Sequence, residues 1–408
     1  MSESNVKELE LYLHIPFCIR KCKYCDFLSA PASGQERQRY VESLCRNIRA
    51  YSAPAKAYNV VSIFVGGGTP SILEPEQIEA IFQAVYETFR VDENAEITME
   101  MNPGTVTEEK LLSCKKAGIN RLSIGLQSTN NHELRVLGRI HTYEEFIDTY
   151  VMVRKAGFEN VNIDLMSALP GQTRESYEDT LRTVAELGPE HISAYSLIIE
   201  EGTPFYDLYG ENGSNSNREE RESLPDEDTE RSMYRCTGEI LEEYGYQRYE
   251  ISNYAMRGYE CRHNLGYWER KEYLGIGIGA ASLMNETRWK ETDSLEEYNE
   301  FWSREFFFSK QWPEWRGANK IWYDTETLSR KEQMEEYMFL GLRKIKGISK
   351  KKFKDIFKND IMAIYGDEIE KLLKQDLLCE EGPDKDILCL TEQGLDISNY
   401  VMSEFLLD

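Results

Sequence analysis

Short runs of β-branched and apolar residues alternate with amphipathic stretches through the first part of the chain. The runs ELYLHIPF (10–17), VVSIFVG (60–66), AEITMEMN (95–102), RLSIGLQS (121–128), NVNIDLMSAL (160–169) and HISAYSLII (191–199) have the length and composition of buried strands. Between the first two, Tyr40, Val41, Leu44, Ile48 and Tyr51 recur at helical spacing. Ile78, Ile81, Phe82, Val85 and Phe89 repeat the pattern, with Pro75 near the start of that helix, where its missing N–H costs nothing. Thr142 and Glu145 make a capping box, Thr107 reads as an N-cap, and Gly118 and Gly157 sit where C′ glycines end helices. Strand–helix units in series predict an α/β fold with a parallel sheet and right-handed crossovers. Eight units would close a barrel; the six counted here predict a partial (β/α)6 barrel over residues 1–205, open on one side to admit a large substrate.

After Glu201 the pattern changes. Residues 211–231 are polar, acidic and poor in aliphatic side chains, as in a surface loop or linker, and a helix is predicted near 228–244. An aromatic-rich stretch (249–268) and a small-residue strand, YLGIGIGAASL (273–283), complete an α+β extension over 206–317. From about 318 a separate module begins. Helices at 331–345, 349–358 and 361–374 lead into an alternating hairpin and a last helix, the pattern of a C-terminal winged-helix-like domain (318–408).

No window is apolar enough for a membrane span, and the polar opening MSESNVKELE has no apolar core of a secretory signal, so a cytoplasmic protein is expected. A net charge of −24 argues against nucleic acid as the main partner, because phosphate binding needs a basic face. The basic run 343–354 is the one local exception, readable as a DNA-facing helix, a solvated face, or a holder of anionic groups. Of nine cysteines, six are scattered singly. The other three, Cys18, Cys22 and Cys25, fall within eight residues.

Thiolates ligate iron–sulfur clusters, and three cysteines leave one iron of a 4Fe–4S cubane without a protein ligand. Such an iron can be chelated by the amino and carboxylate groups of S-adenosylmethionine, and an electron from the cluster can then release a 5′-deoxyadenosyl radical. The alternative is a zinc knuckle, for which His14 is the only nearby fourth ligand and which lacks a second cysteine pair. Polar residues at predicted strand ends, Glu100, Gln127 and Asp164, with Arg139 shortly after the fourth strand, lie where barrels of this kind build their sites. Each alone could be a cap or part of an internal network; together they suggest a cofactor site facing the cysteines.

The string HIPFC-x-x-x-C-x-Y-C resembles the signature of the oxygen-independent coproporphyrinogen oxidase (HemN) family of radical-SAM proteins, and within it most resembles the HemW-type haem chaperones. The likeness runs from Tyr12 through the C-terminal module. It implies that Gly67, Gly68 and Thr69 of VGGGTP meet the methionyl amino end of S-adenosylmethionine. It further implies that Arg139 faces a carboxylate, that Gln127 and Asp164 face ribose hydroxyls, that Glu100 meets the amine or sugar, and that Tyr12 and Tyr24 pack beside the adenosyl group and cluster.

Two features separate the branches. The oxidases resemble C-x-x-x-C-x-x-C-x-C, whereas Phe27 stands at the last of those positions here. His263-Asn264-Leu265-Gly266-Tyr267-Trp268 matches H-N-x-x-Y-W, the mark of the haem-chaperone branch. The resemblance implies haem contact by His263, Asn264, Tyr267 and Trp268, with Cys261 a rival axial ligand; the plain alternative is a core histidine with two packed aromatics. Three functions are therefore open. The first is a haem chaperone that passes haem to an apo-haemoprotein acceptor, in solution or on a membrane. The second is a coproporphyrinogen III oxidase, and the third is an anaerobic haem-modifying radical-SAM enzyme. Phe27 and the H-N-x-x-Y-W string favour the first. No catalytic residue and no oligomeric state can be read from the chain.

Overall fold

Six parallel strands form the centre of one sheet, hydrogen-bonded in sequence order: β1 (Lys7–Ile15), β2 (Tyr58–Gly67), β3 (Val91–Met101), β4 (Arg121–Gln127), β5 (Val161–Ser167) and β6 (His191–Ser196). Strand alternation sorts their side chains. On β1, Leu9, Leu11, Leu13 and Ile15 are fully buried against the outer helices, which puts Glu10, Tyr12 and His14 on the concave face. The helices Gly34–Ala50, Pro75–Thr88, Glu108–Lys116, Tyr143–Lys155 and Arg174–Glu186 form the outer layer. Thr107 caps its helix, and Thr142 and Glu145 make the expected capping box. The structure, a computed structural model, describes residues 6–210, 222–308 and 321–407. The stretch 211–221 of the predicted acidic loop and the first five residues of the polar opening lie outside the described residues.

The extension continues this sheet at both edges. β8 (Asn253–Ala255) pairs antiparallel with β6, and β7 (Gln247–Glu250) pairs antiparallel with β8 at the sheet edge. On the other side β9 (Tyr273–Ile276) runs parallel to β1, followed by antiparallel β10 (Ala281–Met284), β11 (Thr287–Glu291) and β12 (Trp322–Thr327). The single strand expected over 273–283 is thus two strands. The chain reverses at Gly277 and Gly279, both at positive φ, and a side chain at Gly277 would fall 2.5 Å from the Tyr40 hydroxyl. Trp289, Tyr298 and Trp302 of the extension belong to the same hydrophobic core as Tyr40 and Tyr51, so this segment is packed as part of the barrel.

The helices Arg330–Gly341, Lys350–Phe357 and Ile361–Lys374 surround a small sheet, β13 (Ile348–Ser349), β14 (Leu378–Glu381) and β15 (Ile387–Leu390), ordered β13-β15-β14. They enclose a second core around Met338, Phe353, Ile369, Leu388 and Phe405. The buried Glu336 carboxylate ties this unit to the barrel by pairing with Arg270 at 2.8 Å and with Arg288. Part of the basic run reinforces the same junction. Arg343 lies over the Trp268 ring at 4.4 Å and Lys344 pairs with Glu269 at 3.1 Å, while Lys350 pairs with Glu380 inside the C-terminal domain. Among the described residues, no helix is long and apolar enough to cross a membrane. Glu336→Ala is expected to lower the stability of the junction by roughly 2–3 kcal/mol in urea denaturation. That is the low side for breaking a buried pair, because Glu286 still holds Arg270.

Candidate cofactor site and aromatic cavity

Beyond Ile15 the chain crosses the C-terminal ends of the strands as the cysteine loop. Its backbone is anchored at several points: Cys18 N–H donates to Ala30 O (3.2 Å), Lys23 N–H to Leu137 O (3.0 Å), and Phe205 N–H to Lys23 O (3.0 Å). Cys18 is buried and Cys22 and Cys25 are half-buried. The glycines of VGGGTP let the loop sit directly on β2. A Cβ on Gly68 would come within 2.6 Å of the Phe17 carbonyl oxygen, and one on Gly67, at φ 113°, within 2.5 Å of the His14 ring. Thr69 follows, its hydroxyl 3.4 Å from Cys18 Sγ.

One cavity is lined by Cys18, Cys22, Tyr24, Cys25, Gly67, Gly68, Thr69, Glu100, Gln127, Arg139 and Asp164, every residue expected at the cluster or S-adenosylmethionine except Tyr12. Four of its members carry unusual features. Gln127 has φ 76°, a left-handed conformation that a non-glycine residue adopts at a cost and that gathers at functional sites. The Glu100 carboxyl is pushed up to about 8 by burial and then by the charge of Asp164, whose own carboxyl burial also raises. Arg139 donates to Asn102 Oδ1 at 2.7 Å and to the Gly125 carbonyl, with Nη1 3.7 Å from Cys22 Sγ, yet its buried Nε has no partner. Asn102 in turn donates to the Thr69 hydroxyl at 2.7 Å, so a line of contacts joins Arg139 to Cys18. Asn102 was missed in the sequence; its position two residues after Glu100, at the end of β3, is the signal that could have found it.

This set fits the expected cofactor. Two desolvated carboxylates suit the ammonium and sulfonium of S-adenosylmethionine, the buried cation of Arg139, with its Nε unpartnered, suits its carboxylate, and three thiols on one cavity suit a cubane with one open iron.

Tyr12 stands apart. Its hydroxyl is 2.9 Å from His14 Nδ1 and its ring stacks on Phe64. It lines a second, largely apolar cavity of about 350 Å³ with Tyr267, Trp268, Tyr273, Leu283 and Leu340, edged by Arg270 and Arg288.

Tyr267 and Trp268 end the helix Arg262–Trp268, which plugs the opposite end of the barrel. Glu96 of β3 caps this helix, accepting from the backbone N–H groups of Arg262 and His263, both at 3.1 Å. Gly266 lies against Glu10, where a Cβ would meet the carboxylate. His263, expected to contact haem or else to be a core histidine, lies on the buried side of this helix. His263 is 1% exposed, with Nδ1 2.8 Å from the Ser62 hydroxyl and Nε2 3.1 Å from the Tyr267 hydroxyl. Burial beside Arg121 pushes it down to about 3, so the ring is neutral. Cys261, the rival ligand, is fully buried with its Sγ 3.5 Å from Glu96. Asn264 is half-buried on the same helix.

A profile of the Radical SAM superfamily matches residues 12–184, and one of the HemN C-terminal domain matches residues 328–397. The heme chaperone HemW of Lactococcus lactis is 36% identical over 397 residues, 97% of each chain. That of Bacillus subtilis is 33% identical over 396 residues, 97% of this chain and 98% of its own. The chain belongs to the HemW family. The resemblance read from HIPFC and H-N-x-x-Y-W is therefore correct. The coproporphyrinogen III oxidase HemN from Escherichia coli, a radical-SAM enzyme of known structure, superposes with a TM-score of 0.79 over 98% of this chain and 90% of its own; at 23% identity it shares the fold. Membership in the superfamily brings a 4Fe–4S cluster and S-adenosylmethionine as cofactors.

Two outcomes are expected. Gly68→Ala should lower iron and acid-labile sulfide incorporation on reconstitution, with an unchanged far-UV spectrum. In the cofactor-free protein, native Glu100 keeps a proton that the unfolded chain loses above its ordinary value of 4.5. Glu100's contribution to stability should therefore fall as pH rises from about 4.5 to about 8 and level off above that. Glu100→Gln should remove that contribution from denaturation midpoints taken across the range; Glu10 and Glu291, also raised to about 8, pull the same way, while the buried His141 and His263, both lowered to about 3, pull the opposite way below about 6.5.

Proposed function

We propose that this chain binds haem and delivers it to an apo-haemoprotein. Cys18, Cys22 and Cys25 hold the cluster, and Tyr24, Gly67, Gly68, Thr69, Glu100, Gln127, Arg139 and Asp164 hold S-adenosylmethionine. The observation that carries the reading is the aromatic cavity formed by Tyr267 and Trp268 on the concave side of the barrel, beside Tyr12. Flat apolar walls of Tyr267, Trp268, Tyr273 and Leu283 suit the edge of a macrocycle, and Arg270 and Arg288 at the rim suit propionates. The full-length relatives, themselves heme chaperones, support the same assignment.

His263 acts in this scheme as a positioning residue. Its bonds to Ser62 and Tyr267 set the Tyr267 ring, and Asn264 belongs to the same turn. Phe27, 60% exposed and lining the cofactor cavity, stands where the oxidases resemble a further cysteine, which favours carriage over porphyrin oxidation. The acceptor, soluble or at a membrane, meets the protein in the cytoplasm.

Haem titration followed by absorbance tests this reading. Trp268→Ala should weaken binding about tenfold, the loss of one aromatic wall worth roughly 1.4 kcal/mol. His263→Ala should leave the Soret position of bound haem unchanged while lowering the denaturation midpoint; a shifted Soret band would instead make the imidazole an iron ligand. The reconstituted protein should not turn over coproporphyrinogen III to protoporphyrinogen IX, and sustained turnover would overthrow the chaperone assignment.

A further inference from the structure

Two cysteines that stand ten residues apart in the sequence, Cys379 and Cys389, face each other directly across the hairpin of β14 and β15. Their sulfurs are 3.1 Å apart. Glu381 follows Cys379 by two residues on β14 and so shares its face of the sheet. The two sulfurs and a Glu381 carboxylate oxygen all lie within 4.8 Å of one another. Leu378, Leu388 and Leu390 occupy the other face, in the domain core, so the three donors are displayed away from it.

We propose that Cys379, Cys389 and Glu381 form a site for a thiophilic divalent cation of the zinc class, separate from the cluster loop. Zinc takes thiolates at about 2.3 Å in tetrahedral geometry, which places two sulfurs roughly 3.8 Å apart. The pair reaches that spacing through small side-chain rotations, with no change in strand register. A carboxylate supplies the third ligand and water the fourth. Cys389 is buried, Cys379 half-buried and Glu381 exposed, so the ion has a fixed inner ligand and an open approach. The inner ligand is held from behind. β13 packs so closely on β15 that a Cβ at Gly347 would come 2.8 Å from Cys389 Cβ and 2.1 Å from the Leu388 carbonyl oxygen.

Charge separates this site from a simple thiol pair. Three donors that are anionic in their ligating forms repel one another, and a cation turns that repulsion into attraction. A disulfide would use the two sulfurs and give Glu381 no part. The lysines near the hairpin, Lys350 and Lys385, both pair with Glu380 on the opposite face. On binding, two thiol protons pass to solvent and no electron moves.

The test uses the full chain with its cluster reconstituted anaerobically, so that the loop thiols are engaged by iron. Zn²⁺ is added in competition with a chromophoric chelator, and retained zinc is counted per chain. Wild type should hold one equivalent that Cys379→Ala and Cys389→Ala both lose. Glu381→Gln, an exposed change that leaves folding intact, should weaken zinc retention by roughly tenfold or more, the loss that even an indirect partner of a metal site produces. Cluster absorbance and the far-UV spectrum should be the same in all four proteins. No zinc on wild type, equal zinc on the cysteine variants, full retention by Glu381→Gln, or loss of both thiols to alkylation without zinc (a disulfide) would each overturn the proposal.

Discussion

The concave face of the parallel sheet carries charged side chains that bulk water does not reach, and the organisation of both barrel ends follows from having to partner them. An unpaired buried charge costs several kcal/mol. At the N-terminal end of the strands the chain supplies most of the partners itself. Glu96 is covered by the N-terminus of the Arg262–Trp268 helix, and Arg121, 2% exposed, lies among Glu96, Cys261 and Tyr249. At the C-terminal end the carboxyls of Glu100 and Asp164 are raised by burial although Gly67 N–H donates to the first and Asn162 and Ser123 to the second, and Arg139 keeps an unsatisfied Nε. Unsatisfied groups stand at both ends, Glu10 Oε2 and Arg121 Nε at the first and Arg139 Nε at the second, and only the second lies beside the cysteine loop. The plug helix closes one end of the sheet, and the cysteine loop and its cavity occupy the other.

The two ends are joined by one hydrogen-bonded line. Asp164 accepts from Asn162 at 2.8 Å; Asn162 Oδ1 meets His191 at 2.6 Å; His191 meets the Tyr249 hydroxyl at 2.8 Å; and that hydroxyl accepts from Cys261 N–H at 3.3 Å, at the start of the plug helix. A second bridge runs along β1, where His14 holds the Tyr12 hydroxyl on one side and lies under Gly67 on the other. Tyr12 thereby stands between the cofactor cavity and the aromatic cavity, belonging by sequence to the first and by position to the second.

What could be read from the chain was whatever local spacing encodes. The six strand runs of the barrel, its period-3.6 helices and the Thr142–Glu145 box depend on residues within a turn or two of each other, and these reappear in the structure, whereas the run 273–283 folds back on itself as two strands. The residues that line the candidate cofactor cavity could be grouped from the chain because a parallel sheet gathers its strand ends whatever the loops do. Long-range placement was not legible. Nothing near His263 announces that Ser62, two hundred residues earlier, would engage its ring, or that Gly266 would lie on Glu10. The extension looked like a unit of its own because its composition changes, yet its strands extend the barrel's sheet and its tryptophans fill the barrel's core. Cys379 and Cys389 looked scattered because only strand register makes them neighbours.

The basic run shows how strongly context revises a local reading. Against a net charge of −24, a cluster of lysines and arginines suggests an anion-binding face. Folded, Arg343 is stacked on Trp268 and Lys344 is paired with Glu269, while Leu340 just before them lines the aromatic cavity. These contacts draw the C-terminal domain against the plug helix, so the cavity has walls from β1, from the plug, from β9 and β10, and from the C-terminal domain. A planar ligand lodged there would touch all of them at once. Arg270 and Arg288, which hold the C-terminal domain through Glu336, also edge that cavity, so the junction between the domains and the rim of the cavity are built from the same side chains.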